Sequence, residues 1–391
     1  MADKLPIVGW TEREDLARLV AALGPGNARW VGGAVRDALL GVDAADVDCA
    51  TPLAPEQVIE RLEAAGIKAV PTGIDHGTVT AVLPGGKVEI TTLRRDVSTD
   101  GRRATIEYAE DWQEDAARRD FTINALYADP ATLEIFDYFG GLADLEARRV
   151  RFIGNARERI NEDHLRILRY YRFQARFGAE LDPEAEDACA ALAGTLKGLS
   201  RERVAMELMN LLGLPDPAAT LARMRERGVL QVVLPEATRA NIDALAALAA
   251  AERAAGIAPD PLRRMAALLP PSPPVAVAVA SRLRLSKRQR ERLACAAGRI
   301  SSDADDPRAL AYREGIACAC DRLLLAGADV SPLAGWEAPE FPLKGGEIIA
   351  RGIAEGPRIA RLMRQAEAQW IAEGFPGRAR VKAILDALLA D

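Results

Sequence analysis

The chain is expected to be α+β, with a small head of mixed strands and helices followed by a long all-helical portion. Three observations predict this. Alternating apolar runs set off by Gly and Pro turns are confined to roughly the first 140 residues. From about Asp144 onward the periodicity is helical, broken at Gly213-Leu214-Pro215-Asp216-Pro217, at Pro270-Pro271-Ser272-Pro273-Pro274 and at Ala304-Asp305-Asp306-Pro307. A length of 391 residues is also more than one hydrophobic core organises.

Taken in order, Arg29-Trp30-Val31 reads as a short strand entering the glycine pair Gly32-Gly33, with a helix over Ala34–Leu40 behind it. The next strand carries Asp46-Val47-Asp48-Cys49-Ala50-Thr51. Residues i and i+2 of a strand share a face, so Asp46 and Asp48 present two carboxylates side by side. Thr78–Leu83 and Lys87–Leu93 alternate well about Pro84-Gly85-Gly86 and predict a hairpin. In its second strand Glu89 shares a face with Thr91, and strand phase makes it the candidate third acid on the surface of the aspartate pair. Arg94 to Glu107, with Asp100-Gly101-Arg102-Arg103 in its middle, reads as a charged loop. Arg118-Arg119-Asp120-Phe121-Thr122-Ile123-Asn124-Ala125-Leu126 reads as a helix with a charged first turn and an apolar face, or as a nucleotide-contacting segment. Phe136 to Gly141 reads as a turn that ends the head. Arg157 to Phe173 reads as a helix on which Asp163 and Arg166 are neighbours at i and i+3.

Composition bounds the function. Hydrophobic residues make up 49% and charged residues 28%, ordinary for a soluble globular protein, and an aromatic share of 5% with long Ala- and Leu-rich stretches favours helix. The net charge of −6 argues against a nucleic-acid partner only on average. Arg282, Arg284, Lys287, Arg288, Arg290 and Arg292 face only Glu291, and a second basic scatter runs from Lys344 through Arg351, Arg358, Arg361 and Arg364 to Arg378, Arg380 and Lys382. Phosphate binding follows such local potential. The five cysteines, Cys49, Cys189, Cys295, Cys318 and Cys320, lack paired spacing, so reduced thiols are expected, with no zinc site and no disulfide. No signal peptide and no apolar run long enough for a membrane are visible, which predicts a cytoplasmic protein.

The chemistry follows from residue types. A carboxylate pair is what hard divalent cations such as Mg2+ require, and two metals about 3.5–4 Å apart can activate a hydroxyl and neutralise a leaving pyrophosphate. A glycine pair before a helix lets backbone N–H groups approach a phosphate. No histidine base is needed for such transfer, which suits a chain with only His76 and His164. An Asp–Arg pair can read a base: the carboxylate of Asp163 accepts from an exocyclic amino group while the guanidinium of Arg166 donates to the adjacent ring nitrogen. Cytosine and adenine satisfy that pattern; uracil and guanine place a carbonyl against the carboxylate.

In order along residues 29–176, Gly-Gly-Ala-Val-Arg-Asp, Asp-Val-Asp-Cys-Ala-Thr, Arg-Arg-Asp-Phe-Thr-Ile-Asn-Ala, Asp-Tyr-Phe-Gly-Gly and Glu-Asp-His-Leu-Arg-Ile-Leu-Arg-Tyr-Tyr-Arg-Phe resemble the successive motifs of the class II tRNA nucleotidyltransferase and bacterial poly(A) polymerase family. The resemblance continues more loosely through Ser200-Arg201-Glu202-Arg203-Val204 and the Gly346 to Pro357 region. It implies a polymerase-β-like nucleotidyltransferase head over residues 1–143, a helical neck over 144–213, a helical body over 214–330 and a helical tail over 331–391. It further implies Asp46 and Asp48 as catalytic Mg2+ ligands, with Glu89 as the candidate third. Gly32, Gly33 and Arg36 would hold the triphosphate, Arg119 and Asp120 would serve nucleotide and ribose, and Asp163 and Arg166 would read the base, with Arg169 and Arg172 completing the pocket.

Within the family, Ile67 to Thr78 departs from the basic signature of poly(A) polymerases, and the arginines between Arg94 and Arg103 favour addition of C, C and A over C alone. The expected activity is template-independent CCA addition to tRNA from CTP and ATP. The basic stretches would grip the acceptor and TΨC arms. The alternatives are a poly(A) polymerase, an A-adding or CC-adding specialist, and a catalytically inactive RNA-binding protein.

Overall fold

The computed structural model describes residues 4–390 except 45, 100–103, 110 and 354, and describes 75, 96–99 and 104–106 by their backbone alone. Contacts gather the chain into two compact units, Met1–Leu214 with Ala219–Val233, and Pro215–Ala218 with Leu234–Asp391.

Among the described residues the first unit is built on nine strands: β1 (Arg29–Val31), β2 (Val47–Thr51), β3 (Lys68–Gly73), β4 (Thr78–Leu83), β5 (Gly86–Thr92), β6 (Arg94–Thr99), β7 (Ala104–Tyr108), β8 (Leu126–Ala128) and β9 (Ile135–Asp137). Seven form one mixed sheet in the order β3-β4-β5-β2-β1-β8-β9. The β-branched residues of β4 and β5 pair antiparallel as the hairpin expected from Pro84-Gly85-Gly86, and β5 then lies parallel to β2. The buried side chains Cys49, Val79, Val88 and Ile90 anchor this centre, and the Pro55–Ala64 helix covers β3 and β4 with Val58 and Leu62. Each such aliphatic burial contributes about 1.5–3 kcal/mol.

Three local expectations are corrected here. The charged loop is not a loop at its flanks: β6 and β7 pair as a second, two-stranded antiparallel sheet, because Arg94–Tyr108 through Thr99–Ala104 close a backbone ladder. Its expected centre, residues 100–103, lies outside the described residues. The segment from Arg118 is not a helix. The Trp112–Ala117 helix ends, one 3-10 turn spans Thr122–Asn124, and β8 follows. Burial of Phe121 and Ile123, and the Gly32 N–H donated to the Leu126 carbonyl at 3.1 Å, draw this segment into the sheet. Finally, Arg157 to Phe173 is two helices, Ala156–Glu162 and Arg166–Phe177, broken at Asp163. Asp163 is extended (φ −149°, ψ 104°), and its Oδ1 accepts from the Leu165 N–H at 3.1 Å, a local bond that competes with helix.

Rings fix the Arg166–Phe177 helix against the strand-rich part. Phe121 meets Phe152 and Phe173 at centroid distances of 4.9 and 5.3 Å, and Phe152 stacks on Tyr170 at 5.9 Å.

The second unit is helical among its described residues. Two features of its interior were invisible in the sequence. First, Glu252 accepts from Arg263 Nε at 2.7 Å and Arg264 Nε at 2.8 Å, with Arg264 fully buried. Replacing Glu252 by Ala takes the nearest carboxylate from two buried guanidinium groups, so a loss of about 3 kcal/mol in unfolding free energy is expected by denaturant titration; a loss under about 1 kcal/mol would mean that their remaining partners suffice. Second, Cys295 and Cys318 form a disulfide, with Cα atoms 6.1 Å apart. This corrects the expectation of scattered thiols: packing of the Lys287–Ala297 and Ile316–Leu325 helices brings together cysteines 23 residues apart. Titration of denatured protein in the absence of reductant should find three thiols, those of Cys49, Cys189 and Cys320, and five after reduction.

The basic stretches are partly committed. Arg282 forms two 2.7 Å bonds to Glu236, and Arg292 pairs with Asp321 and Asp260. Arg351, Arg378 and Arg380 pair with Asp386, Glu347 and Glu373. Lys287, Arg288, Arg358, Arg361 and Arg364 are exposed. Among the described residues no helix is long and apolar enough to cross a membrane.

Candidate active site

The sheet places its chemistry in one cleft of about 820 Å³ in the first unit. Gly32 ends β1 with φ 70°, and the short Gly33–Leu39 helix starts from it. A Cβ at Gly32 would stand in ordinary contact, 3.4 Å from Arg119 Nη1 and 3.5 Å from the Asn124 carbonyl, so it is the positive φ that favours glycine here. Opposite, β2 carries Asp48 beside β1, since Val31 pairs with Asp48, and Asp46 stands immediately before the strand rather than within it.

Glu89 of β5 is in parallel register with Asp48, so the two side chains share a face. It is exposed and stands outside the lining of the cleft. Its charge nevertheless reaches Asp48. Burial, then the carboxylates of Glu89 and Asp46, push the Asp48 carboxyl up to about 6, against the opposing pull of Arg119. A carboxyl pushed up by neighbouring carboxylates suits a divalent cation, whose charge would offset the repulsion, and Asp46 and Asp48, with Glu89 beside them on the sheet, could hold one.

The walls are basic. Eight arginines and five aspartates line the cleft, which favours a polyanion. Arg36 is buried; its guanidinium donates to Asp37 Oδ1 at 2.8 Å and to Asn124 Oδ1, and Arg176 donates to Asp37 Oδ2 at 3.0 Å. Burial moves Arg36 below the usual arginine range while Asp37 opposes it. Asp120 was expected at the ribose, but its oxygens already accept four bonds. Oδ1 takes the Phe121 N–H and Asn124 Nδ2 at 2.9 and 3.0 Å, and Oδ2 takes Arg169 Nε and Nη2 at 2.8 and 2.5 Å. A carboxylate has about four acceptor sites, and in this structure all four are taken up, two of them by Arg169.

Asp163 and Arg166 both line the cleft but are not an intrahelical ion pair. Asp163 Oδ2 accepts from Arg203 at 2.6 Å, across to the Arg201–Leu212 helix. Arg166 bonds Glu162 at 2.5 Å and the carbonyls of Arg159 and Arg118 at 2.8 and 3.0 Å. Arg172 donates to Glu207 at 2.6 Å, an acid only 2% exposed, and Arg169 lies 3.7 Å from its other oxygen. Thus every expected site residue but Glu89 reaches the cleft.

Six lining residues had been given no role: Asp37, Arg94, Arg118, Asn124, Phe173 and Arg176. Arg118 and Asn124 lie inside a motif already singled out, and Arg176 continues the basic face of Arg169 and Arg172. Of their partners, Glu207 had no local signal, because it meets Arg172 from 35 positions away; Arg203 lies in the 200–204 stretch without a role given to it, and Asp115 stands three and four residues before Arg118 and Arg119.

A mixed sheet that brings carboxylates into an arginine-lined cleft is the arrangement a nucleotidyltransferase uses, a class that is in general metal-dependent. Residues 28–151 match the poly A polymerase head domain, and residues 178–241 match the probable RNA and SrmB-binding site of polymerase A. The mouse (Mus musculus) mitochondrial CCA tRNA nucleotidyltransferase 1 is 37% identical over 368 residues, covering 89% of this chain and 83% of that protein. The CCA-adding enzyme of Streptococcus pneumoniae serotype 19F (strain G54) is 43% identical over 202 residues, 51% of this chain and 49% of its own. The crystal structure of the Bacillus stearothermophilus CCA-adding enzyme in complex with CTP superposes with a TM-score of 0.73 at 28% identity, covering 92% of each chain. The chain belongs to the CCA tRNA nucleotidyltransferase family.

Proposed function

We propose that this protein adds C, C and A in turn to the 3′ end of tRNA, taking CTP and ATP and releasing pyrophosphate, without a nucleic-acid template. The observation that carries the proposal is one cleft joining the Asp46–Asp48 carboxylates to a wall of arginines and to Asp163 and Arg166. The 3′-hydroxyl oxygen bonds to the α-phosphorus, the bond from that phosphorus to the bridging oxygen breaks, pyrophosphate leaves and the hydroxyl proton is lost to solvent. Asp46 and Asp48, with Glu89 as the candidate third ligand, would hold Mg2+, which would supply the positive charge that favours the attacking oxygen and the leaving group. Gly32, Gly33, Arg36 and Arg119 hold the triphosphate. Asp163 and Arg166 read the Watson–Crick edge, and Arg169 and Arg172, steadied by Asp120 and Glu207, flank the nucleotide.

The same proposal divides the chain into head, neck, body and tail at residues 143, 213 and 330, with tRNA gripped on its acceptor and TΨC arms by exposed basic residues of the helical portion. Affinity for tRNA should therefore fall steeply as salt rises from 50 to 200 mM, read by filter binding, and a flat response would remove the phosphate contacts. A cytoplasmic site of action belongs to the proposal too, and recovery of the protein in an organelle fraction would overturn it.

The decisive experiment supplies purified protein and Mg2+ with tRNA lacking its CCA end, offers each nucleotide singly and all four together, and sequences the products. Addition of C, C and A with UTP and GTP ignored supports the proposal. Long adenosine tails, a stop after two cytidines, or no extension would each replace it.

A further inference from the structure

Asp115, near the end of the Trp112–Ala117 helix, is 1% exposed and is the acceptor on which the arginines at the mouth of β8 converge. Its carboxylate accepts from Arg118 Nε at 2.8 Å, from Arg119 Nη2 at 3.0 Å, from the Tyr127 hydroxyl at 2.6 Å and from the Arg94 backbone N–H at 3.3 Å. Tyr127 closes the triangle, since its oxygen accepts from Arg119 Nε at 3.1 Å while its hydrogen goes to Asp115. The Tyr127 ring is itself held edge-on by Trp112 and Tyr138, at centroid distances of 5.8 and 6.1 Å.

The consequence is directional. A guanidinium is a planar, rigid fork, so fixing one edge fixes the other. Asp115 and Tyr127 engage the Nε–Nη2 edge of Arg119, and Nη1 then faces Gly32, 3.4 Å from the point where a Cβ on that glycine would stand. That is the glycine at the start of the Gly33–Leu39 helix. A buried acid that merely neutralised two arginines would need neither the hydroxyl of Tyr127 nor this orientation.

We propose that Asp115 and Tyr127 are positioning residues that aim Arg119 at the incoming nucleoside triphosphate, with Tyr127 setting the direction and Asp115 the charge. The inference rests on the reading of Arg119 as a nucleotide ligand. Through the Arg94 N–H, Asp115 also ties the first residue of the β6–β7 hairpin to the same group.

The test uses the full chain with saturating tRNA lacking its CCA end, and measures KM and kcat for addition of C and, on tRNA ending in CC, of A. Tyr127→Phe removes one hydroxyl and should raise KM for CTP and for ATP about tenfold while kcat stays within threefold and tRNA affinity is unchanged. In an Arg119→Ala background the same substitution should change nothing, because Tyr127 acts through Arg119. Asp115→Asn should raise KM further; if that variant does not fold, Tyr127→Phe still decides. An unchanged KM in Tyr127→Phe, a fall in kcat alone, or an equal effect with and without Arg119 overturns the positioning role and leaves Arg119 as a ligand. If Arg119→Ala itself leaves KM unchanged, the nucleotide reading of Arg119 falls and this inference falls with it.

Discussion

Asp48→Asn should abolish nucleotide addition and at the same time make the metal-free protein more stable. The two effects have one origin. Burial and the neighbouring carboxylates of Glu89 and Asp46 hold the Asp48 carboxyl at about 6 in the folded chain, against an ordinary value of 3.8. The folded state therefore keeps a proton that the unfolded chain releases. The sign follows: Asp48 favours folding below about pH 4, and this contribution is lost as pH rises through 6, leaving an unfavourable carboxylate at neutral pH. An asparagine carries no such charge. Thermal unfolding at pH 8 with chelator should show the variant more stable by on the order of 3 kcal/mol, at 1.36 kcal/mol per pKa unit. With excess Mg2+ the wild type should gain more than the variant does.

Turnover should fall by roughly 10³-fold or more, because transition-state charge would be left without its counter-ion. Asp46→Ala should match it in turnover, and both should bind tRNA as the wild type does. Destabilisation of Asp48→Asn in chelator would make Asp48 a folding residue and remove it from the chemistry.

The second large effect is on specificity. An aspartate facing the base can only accept, so a nucleotide that presents a carbonyl there leaves two acceptors opposed, and discrimination of about 10⁴-fold is attainable from such a mismatch. Asp163→Asn offers an amide N–H to that carbonyl. We expect the ratio of kcat/KM for CTP over UTP to fall by about 10²-fold, read from single additions to tRNA lacking its CCA end. Asp163 suits this test better than Arg166. The Arg166 guanidinium also holds the carbonyls of Arg159 and Arg118, so its removal would loosen the turn and the segment before β8. Equal losses with CTP and UTP after Asp163→Asn would place base reading elsewhere.

Much of this site could be seen before any coordinates, because its parts are local. The glycine pair, the Asp-Val-Asp segment (though Asp46 stands just before β2), the hairpin carrying Glu89 and the arginines of one helix each lie within a few residues, where backbone periodicity limits which side chains can share a face. What failed also failed for a physical reason. Phe121, Ile123 and Leu126 fit a helical face as well as they fit a buried turn and strand, and only the neighbouring β1 chooses between them. The break at Asp163 could not be read from a segment rich in helix formers, because an aspartate capping its own turn competes with the helix by one local bond. The flanks of the charged segment became β6 and β7 through pairing with each other, which a charge pattern does not report.

By itself, then, the sequence determined the class of chain, the order of its head and helices, and most of the acids and arginines that line the cleft, since these depend on spacing along one segment. Tertiary structure alone decided who holds whom. Arg203 on Asp163, Glu207 on Arg172, Asp120 on Arg169, Tyr127 on Arg119, and Cys295 with Cys318 join residues that are 8 to 49 positions apart. Such bonds form because packing brings two surfaces to within hydrogen-bond or covalent reach, and no local pattern of one segment encodes the other.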